Sequence, residues 1–104
     1  MIRNAFTMKL KPGFEEEYKR RHDEVWPELG RKLTEAGIAN YSIFLDENSG
    51  VLFAVQELSD DSSTESLPGT DIMKKWWDYM ADIMDVNPDN SPICKPLIEV
   101  FHMD

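Results

Sequence analysis

Cysteine is almost missing from this 104-residue chain. The lone thiol, Cys94, cannot close an intrachain disulfide, and between Pro92 and Pro96 it has no neighbour at metal-ligand spacing. A reducing compartment, the cytoplasm, is therefore expected. Basic residues are also scarce: 11 Lys and Arg stand against 20 Asp and Glu, a formal charge of −9. Such a surface repels polyphosphates and anionic metabolites, so nucleic acid is an unfavourable partner and a neutral small molecule a better one. No apolar run approaches the roughly 18 residues of a membrane span. The opening "MIRNAFTMKLK" is too interrupted for the apolar core of a secretory leader and reads as a strand. There is no Gly-rich phosphate loop, no C-x-x-C and no serine in a nucleophile-elbow setting, and His102 lacks partners at ligand spacing. No metal or cofactor is expected. What is left is unaided acid–base chemistry, for which histidine, with a reference pKa of about 6.5, is the usual agent.

The residues present suffice for one domain over 1–104, with 41% hydrophobic and 30% charged content. Ile2, Asn4, Phe6, Met8 and Leu10 alternate with more polar neighbours, the period of a strand. Residues 13–36 follow a helical period, and Pro27 is expected to kink or restart the helix because it lacks a donor and crowds the turn before it. Beyond Gly37, "IANYSIFLDENSGVLFAVQEL" predicts two strands around a turn at 47–50. "SDDSSTESLPG" is polar, with room for one short helical turn. A second helix is predicted over 71–84 and a last strand over 97–103. The order strand, helix, strand, strand, helix, strand predicts an α+β, ferredoxin-like domain: a four-stranded antiparallel sheet with two helices on one face. Val51, Phe53 and Val55 lie on one side of their strand and Leu52, Ala54 and Leu58 on the other. The face that the helices leave open is thus expected to meet a second copy, in a homodimer.

The stretch "YKRRHDEVWPEL" places a titratable imidazole among charges. Counting about 100° per residue from Phe14 puts Tyr18 at about 40°, His22 at about 80°, Val25 at about 20° and Leu29 at about 60°, while Lys19, Arg20, Asp23 and Glu24 fall on the opposite side. His22 therefore belongs to the sheet-facing stripe, with Tyr18 one turn before it. Position alone favours a core histidine bonded to a backbone carbonyl or to the tyrosine. The second helix points towards a pocket. Counted from Ile72, Trp76 falls at about 40°, on the side of Ile83 and Met80, and Trp77 at about 140°, at the rim. Tyr41 shares a face with Ile43 and Leu45 on the second strand. Flat rings stack on the C–H faces of sugars while hydroxyl and imidazole groups bond their hydroxyls, so a carbohydrate is a plausible occupant of the gap between helix and sheet.

Taken together, "EYKRRHDEVWPEL", "NYSIFLD", "KKWWDYMADIM" and "NPDNSP" resemble the L-rhamnose mutarotases, in the same order and at similar spacing, over essentially the whole chain. The resemblance implies a cytoplasmic homodimer of ferredoxin-like subunits, of the dimeric α/β-barrel type, that interconverts the α and β anomers of L-rhamnose without metal or cofactor. It implies His22 as the proton donor and Tyr18, Tyr41, Trp76 and Trp77 as sugar-binding residues. The partner would be L-rhamnose or a related 6-deoxy sugar. Two rival readings share the pocket: a cofactor-independent oxygenase of the dimeric ferredoxin-like kind, and a non-catalytic sugar-binding or sensor module.

Overall fold

A tight turn joins two alternating strands into a hairpin at one side of the sheet. In the computed structural model, which describes residues 2–104, the strands are β1 (Ile2–Lys9), β2 (Ile38–Asp46), β3 (Val51–Leu58) and β4 (Lys95–Pro96). The β2–β3 turn closes through the Gly50 N–H donating to the Asp46 carbonyl at 2.8 Å. Gly50 has φ +77°, and a Cβ there would meet the Leu10 carbonyl at 2.9 Å, so the turn requires glycine on two counts. The Leu10 N–H in turn donates to the Gly50 carbonyl (2.8 Å), which ties the hairpin to the end of β1. The strand order is β2-β3-β1-β4 with every pair antiparallel, the ferredoxin-like order.

The expected helix over 13–36 is two helices. α1 spans Glu15–Asp23 and α2 spans Pro27–Glu35, with Pro27 as the first helical residue of α2. Trp26, immediately before it, is extended (φ −61°, ψ 128°), because the proline ring excludes the helical region from the preceding residue. α3 spans Asp71–Met80, ending before the predicted 84. Beyond Met80 the chain tightens into a turn and is captured by the end of β1: the Lys11 N–H donates to Ile83 (2.9 Å) and the Asp85 N–H to Lys9 (3.0 Å). The polar segment holds one 3₁₀ turn, Thr64–Gly69, which tucks Leu67 against Ala36 and Ile38.

The core lies between the helices and one face of the sheet. Register pairs Met8 with Leu52 and Phe6 with Ala54, and Leu52 and Ala54 with Leu45 and Ile43 of β2. Tyr18, Leu29, Trp76, Met80 and Ile83 close over this face. Leu10, Leu52 and Ile83 are fully buried, each such side chain contributing about 1.5–3 kcal/mol of hydrophobic stabilisation. On the opposite face Phe44 (63% exposed), Phe53 and Val55 remain open, with no helix packed on them among the described residues.

The predicted strand over 97–103 does not form. β4 is only Lys95–Pro96, paired with Thr7 and Phe6. Beyond it the Leu97 N–H reaches the Ala5 carbonyl (2.9 Å) and Glu99 pairs with Arg3 (2.7 Å), but no ladder continues. Ile98, Val100, Phe101 and Met103 are 77–91% exposed. Their alternation is that of a strand, but among the described residues there is no second layer to bury either side.

Candidate active site

A cleft of about 720 Å³ opens between α1, α2, α3 and β2, within the roughly 300–1,000 Å³ of small-molecule sites. Its apolar wall is built from Leu29, Leu33, Ile43, Leu45, Leu52 and Met73. Its rim carries Glu15, Glu16, Asp23 and Glu47 with Lys19, which pairs with Asp23 at 2.9 Å. An acidic rim over an apolar wall disfavours anionic ligands and leaves a neutral one unopposed.

Four of the five residues singled out in the sequence meet here. Tyr18, His22 and Trp76 line the cleft from the helices and Tyr41 from the sheet. His22 is half-buried on α1. Its ring stacks on Tyr18 (centroids 4.3 Å apart, planes at 27°) and meets Trp76 edge-on (5.3 Å, 89°). Nδ1 lies 3.0 Å from the Tyr18 carbonyl oxygen one turn earlier. A carbonyl can only accept, so Nδ1 carries the proton and the neutral ring presents Nε2 as an acceptor. The backbone-bonded histidine and the pocket histidine are thus the same residue. Burial lowers the imidazole pKa from its ordinary 6.5, outweighing the Tyr18 carbonyl and the charge of Asp23, which act the other way.

Tyr41 sits at a β-bulge. Ala39 pairs with Glu57 and Ser42 with Val55, so Asn40 and Tyr41 together face the single residue Gln56. Asn40 takes the strain at φ +48°, and its amide donates to Glu57 (3.0 Å). Tyr41 faces the helix side with Ile43 and Leu45, by the strand's alternation. The residue as a whole is 38% exposed, but burial around its hydroxyl pushes that group up to about 12. Tyr18, stacked beneath His22, is buried and its phenol is pushed well above the usual range. Both tyrosines are therefore neutral hydroxyls at physiological pH.

Trp77, the fifth candidate, does not line the cleft. It is half-buried on the neighbouring flank of α3, packed against the core. The cleft is thus lined by one indole of the pair, because consecutive helical residues diverge by about 100°. A second indole backs Trp76 from Trp26, a residue outside the sequence-derived set: it stands edge-on to Trp76 (5.1 Å) and stacks on Tyr79 (5.5 Å). Its signal was the following proline, which turns the residue out of α1 and back over α3. Among the described residues no three of His, Cys, Asp and Glu gather as metal ligands, and no helix is long and apolar enough to cross a membrane.

Comparison with known proteins places this arrangement. Residues 3–103 match the family described as L-rhamnose mutarotase. An L-rhamnose mutarotase of Flavobacterium johnsoniae is 59% identical over 99% of this chain and 96% of its own. That of Bacteroides thetaiotaomicron is 54% identical over the full length of both. The crystal structure of an L-rhamnose mutarotase from Formosa agariphila superposes with a TM-score of 0.93 at 53% identity, covering both chains completely.

Proposed function

The chain belongs to the L-rhamnose mutarotase family and is an isomerase that interconverts the α and β anomers of L-rhamnose, and from that premise we propose how its residues perform the reaction. The observation that carries the mechanism is the contact of His22 Nδ1 with the Tyr18 carbonyl at the wall of the cleft, which leaves Nε2 as the acceptor of the neutral ring. Neutral Nε2 takes the proton of the anomeric hydroxyl. As that oxygen's electrons form the aldehyde, the bond from the anomeric carbon to the ring oxygen breaks, its electron pair goes to the ring oxygen, and the imidazolium delivers the proton there. Rotation of the open chain and the same steps in reverse close the ring on its other face. One proton makes a round trip and nothing is consumed. A positioned group of this kind contributes about 10²–10⁴-fold.

Tyr18 holds the imidazole through its carbonyl and its ring, and Tyr41 reaches a sugar hydroxyl from the bulge. Trp76 offers its indole to the pyranose face. The C5 methyl of the 6-deoxy sugar lies against the apolar wall, where a fully hydroxylated hexose would bury an unpaired hydroxyl. The test is magnetization-transfer NMR on equilibrated L-rhamnose. The protein should speed exchange between the anomer signals; exchange no faster than in buffer would favour the sensor reading.

The pH profile checks the protonation state. Activity requires neutral His22, whose pKa lies below 6.5, so kcat/KM should hold as pH falls through 6.5 and drop only at more acidic pH. A midpoint above 6.5 would contradict it. Stability moves in the same direction. The unfolded chain protonates this histidine first, so the folded state loses stability progressively from about pH 6.5 downward, until the folded residue is protonated as well.

The working form is a homodimer in the cytoplasm, where Cys94 stays free. Phe44, Phe53 and Val55 on the open sheet face, together with the exposed Ile98, Val100 and Phe101 of the tail beyond β4, supply the apolar area that a second copy would bury, about 800 Å² per partner in an ordinary interface. Sedimentation velocity should give the dimer mass at micromolar concentration, and Phe44→Glu should shift it to the monomer. A monomer in the unsubstituted protein would refute the assignment.

A further inference from the structure

One buried charge has no part in the chemistry above. Arg21, immediately before His22, is 8% exposed and lies between α1 and α3. Its Nε donates to Glu17 Oε2 (2.7 Å), Nη1 to the Tyr79 carbonyl (2.7 Å) and Asp82 Oδ1 (2.9 Å), and Nη2 to Asp82 Oδ2 (3.3 Å). The guanidinium carbon also sits 4.4 Å from the centre of the Tyr79 ring. α3 ends at Met80, so the Tyr79 carbonyl is among those the helix leaves unpaired, at the negative pole of its dipole. A cation on α1 thus caps α3.

The ring beneath that cation continues to the site. Tyr79 meets Trp76 (5.7 Å, 60°), and Trp76 meets His22 edge-on. We propose that Arg21 is a positioning residue for anomer exchange: by capping α3 from α1 it fixes the gap between the imidazole on one helix and the indole on the other. This rests on the reading of His22 as the proton carrier. The planar fork is what the task demands, because one guanidinium engages two carboxylates, a carbonyl and a ring face along different directions. Stability alone would not demand it, since well-packed apolar residues replace many buried ion pairs without loss. Lysine keeps the charge but not the fork.

The experiment compares Arg21→Met and Arg21→Lys with the unsubstituted protein in kcat and KM for L-rhamnose exchange, in melting temperature, and in the nuclear Overhauser contact between the His22 and Trp76 rings without sugar. Displacing a catalytic group by about 1 Å can cost about 10²-fold. The methionine variant should lose at least about tenfold in kcat with KM changed less than about threefold, and lysine should recover part of it. The His22–Trp76 contact should weaken in the same order. A folded methionine variant with near-normal kcat, or one that loses kcat while the ring contact stays intact, overturns the proposal. If Arg21→Met does not fold, Arg21→Lys decides it by the same two readings. The ring contact needs no turnover, so it separates failure of the clamp from failure of His22 as the proton carrier.

Discussion

His22→Ala is expected to lower kcat for anomer exchange by about 10²–10⁴-fold, with KM for L-rhamnose changed only a few-fold. The asymmetry follows from the geometry. The imidazole is the group with a free acceptor nitrogen in its neutral form, whereas the walls of the cleft come from Tyr18, Tyr41, Trp76 and the apolar residues behind them. Truncation removes the proposed proton carrier and leaves the other walls of the cleft in place. His22→Gln is the useful companion, because it fills much of the same space without titrating and should be nearly as inactive. Inversion-transfer NMR over a range of sugar concentrations separates the two constants. Near-full turnover in either variant would mean that another group, such as a rim carboxylate or a bound water, carries the proton.

Trp76→Ala should be the most damaging substitution for the fold, at about 3–5 kcal/mol out of the roughly 5–15 kcal/mol that a domain has in total. Trp76 is 7% exposed and touches three other rings, those of His22, Trp26 and Tyr79. Alanine would leave a cavity at the junction of α1, α2 and α3, where those rings cannot collapse without abandoning one another. Urea unfolding followed by far-ultraviolet circular dichroism should show a lower midpoint with an unchanged slope. Trp76→Phe, which keeps a ring, should recover most of the stability but less of the sugar affinity. An alanine variant within about 1 kcal/mol of the parent would show that the aromatic cluster is not part of the stabilising core.

Periodicity made much of this legible in advance. The apolar stripe of α1 placed Tyr18 and His22 together, the alternation and turn residues of the hairpin marked out β2 and β3, and Pro27 marked the break between helices. The rest depended on partners distant in the chain. The same helical count sets Arg21 beside Phe14, at the edge of the apolar stripe rather than opposite it. A charged residue there is credible only if partners reach it from another element, and Asp82 and the Tyr79 carbonyl lie 61 and 58 residues away. α3 stops at Met80 for a similar reason, because the competing bonds to Lys9 and Lys11 come from the other end of the chain. The tail beyond Pro96 has the alternation of a strand, but alternation describes the segment and not whether a surface exists for it to cover.

The extra residue at Asn40 and Tyr41 makes β2 change parity partway along its length. Ile38 before the bulge and Ile43 and Leu45 after it all look towards the helices, although an even strand would send 38 and 43 to opposite sides. This is the one spot in the strand where a residue can be dropped or gained without turning the flanking side chains inside out. Deleting Asn40 would therefore shorten the arm that carries Tyr41 and restore an even strand, while Ile38, Ile43 and Leu45 keep the faces they have now.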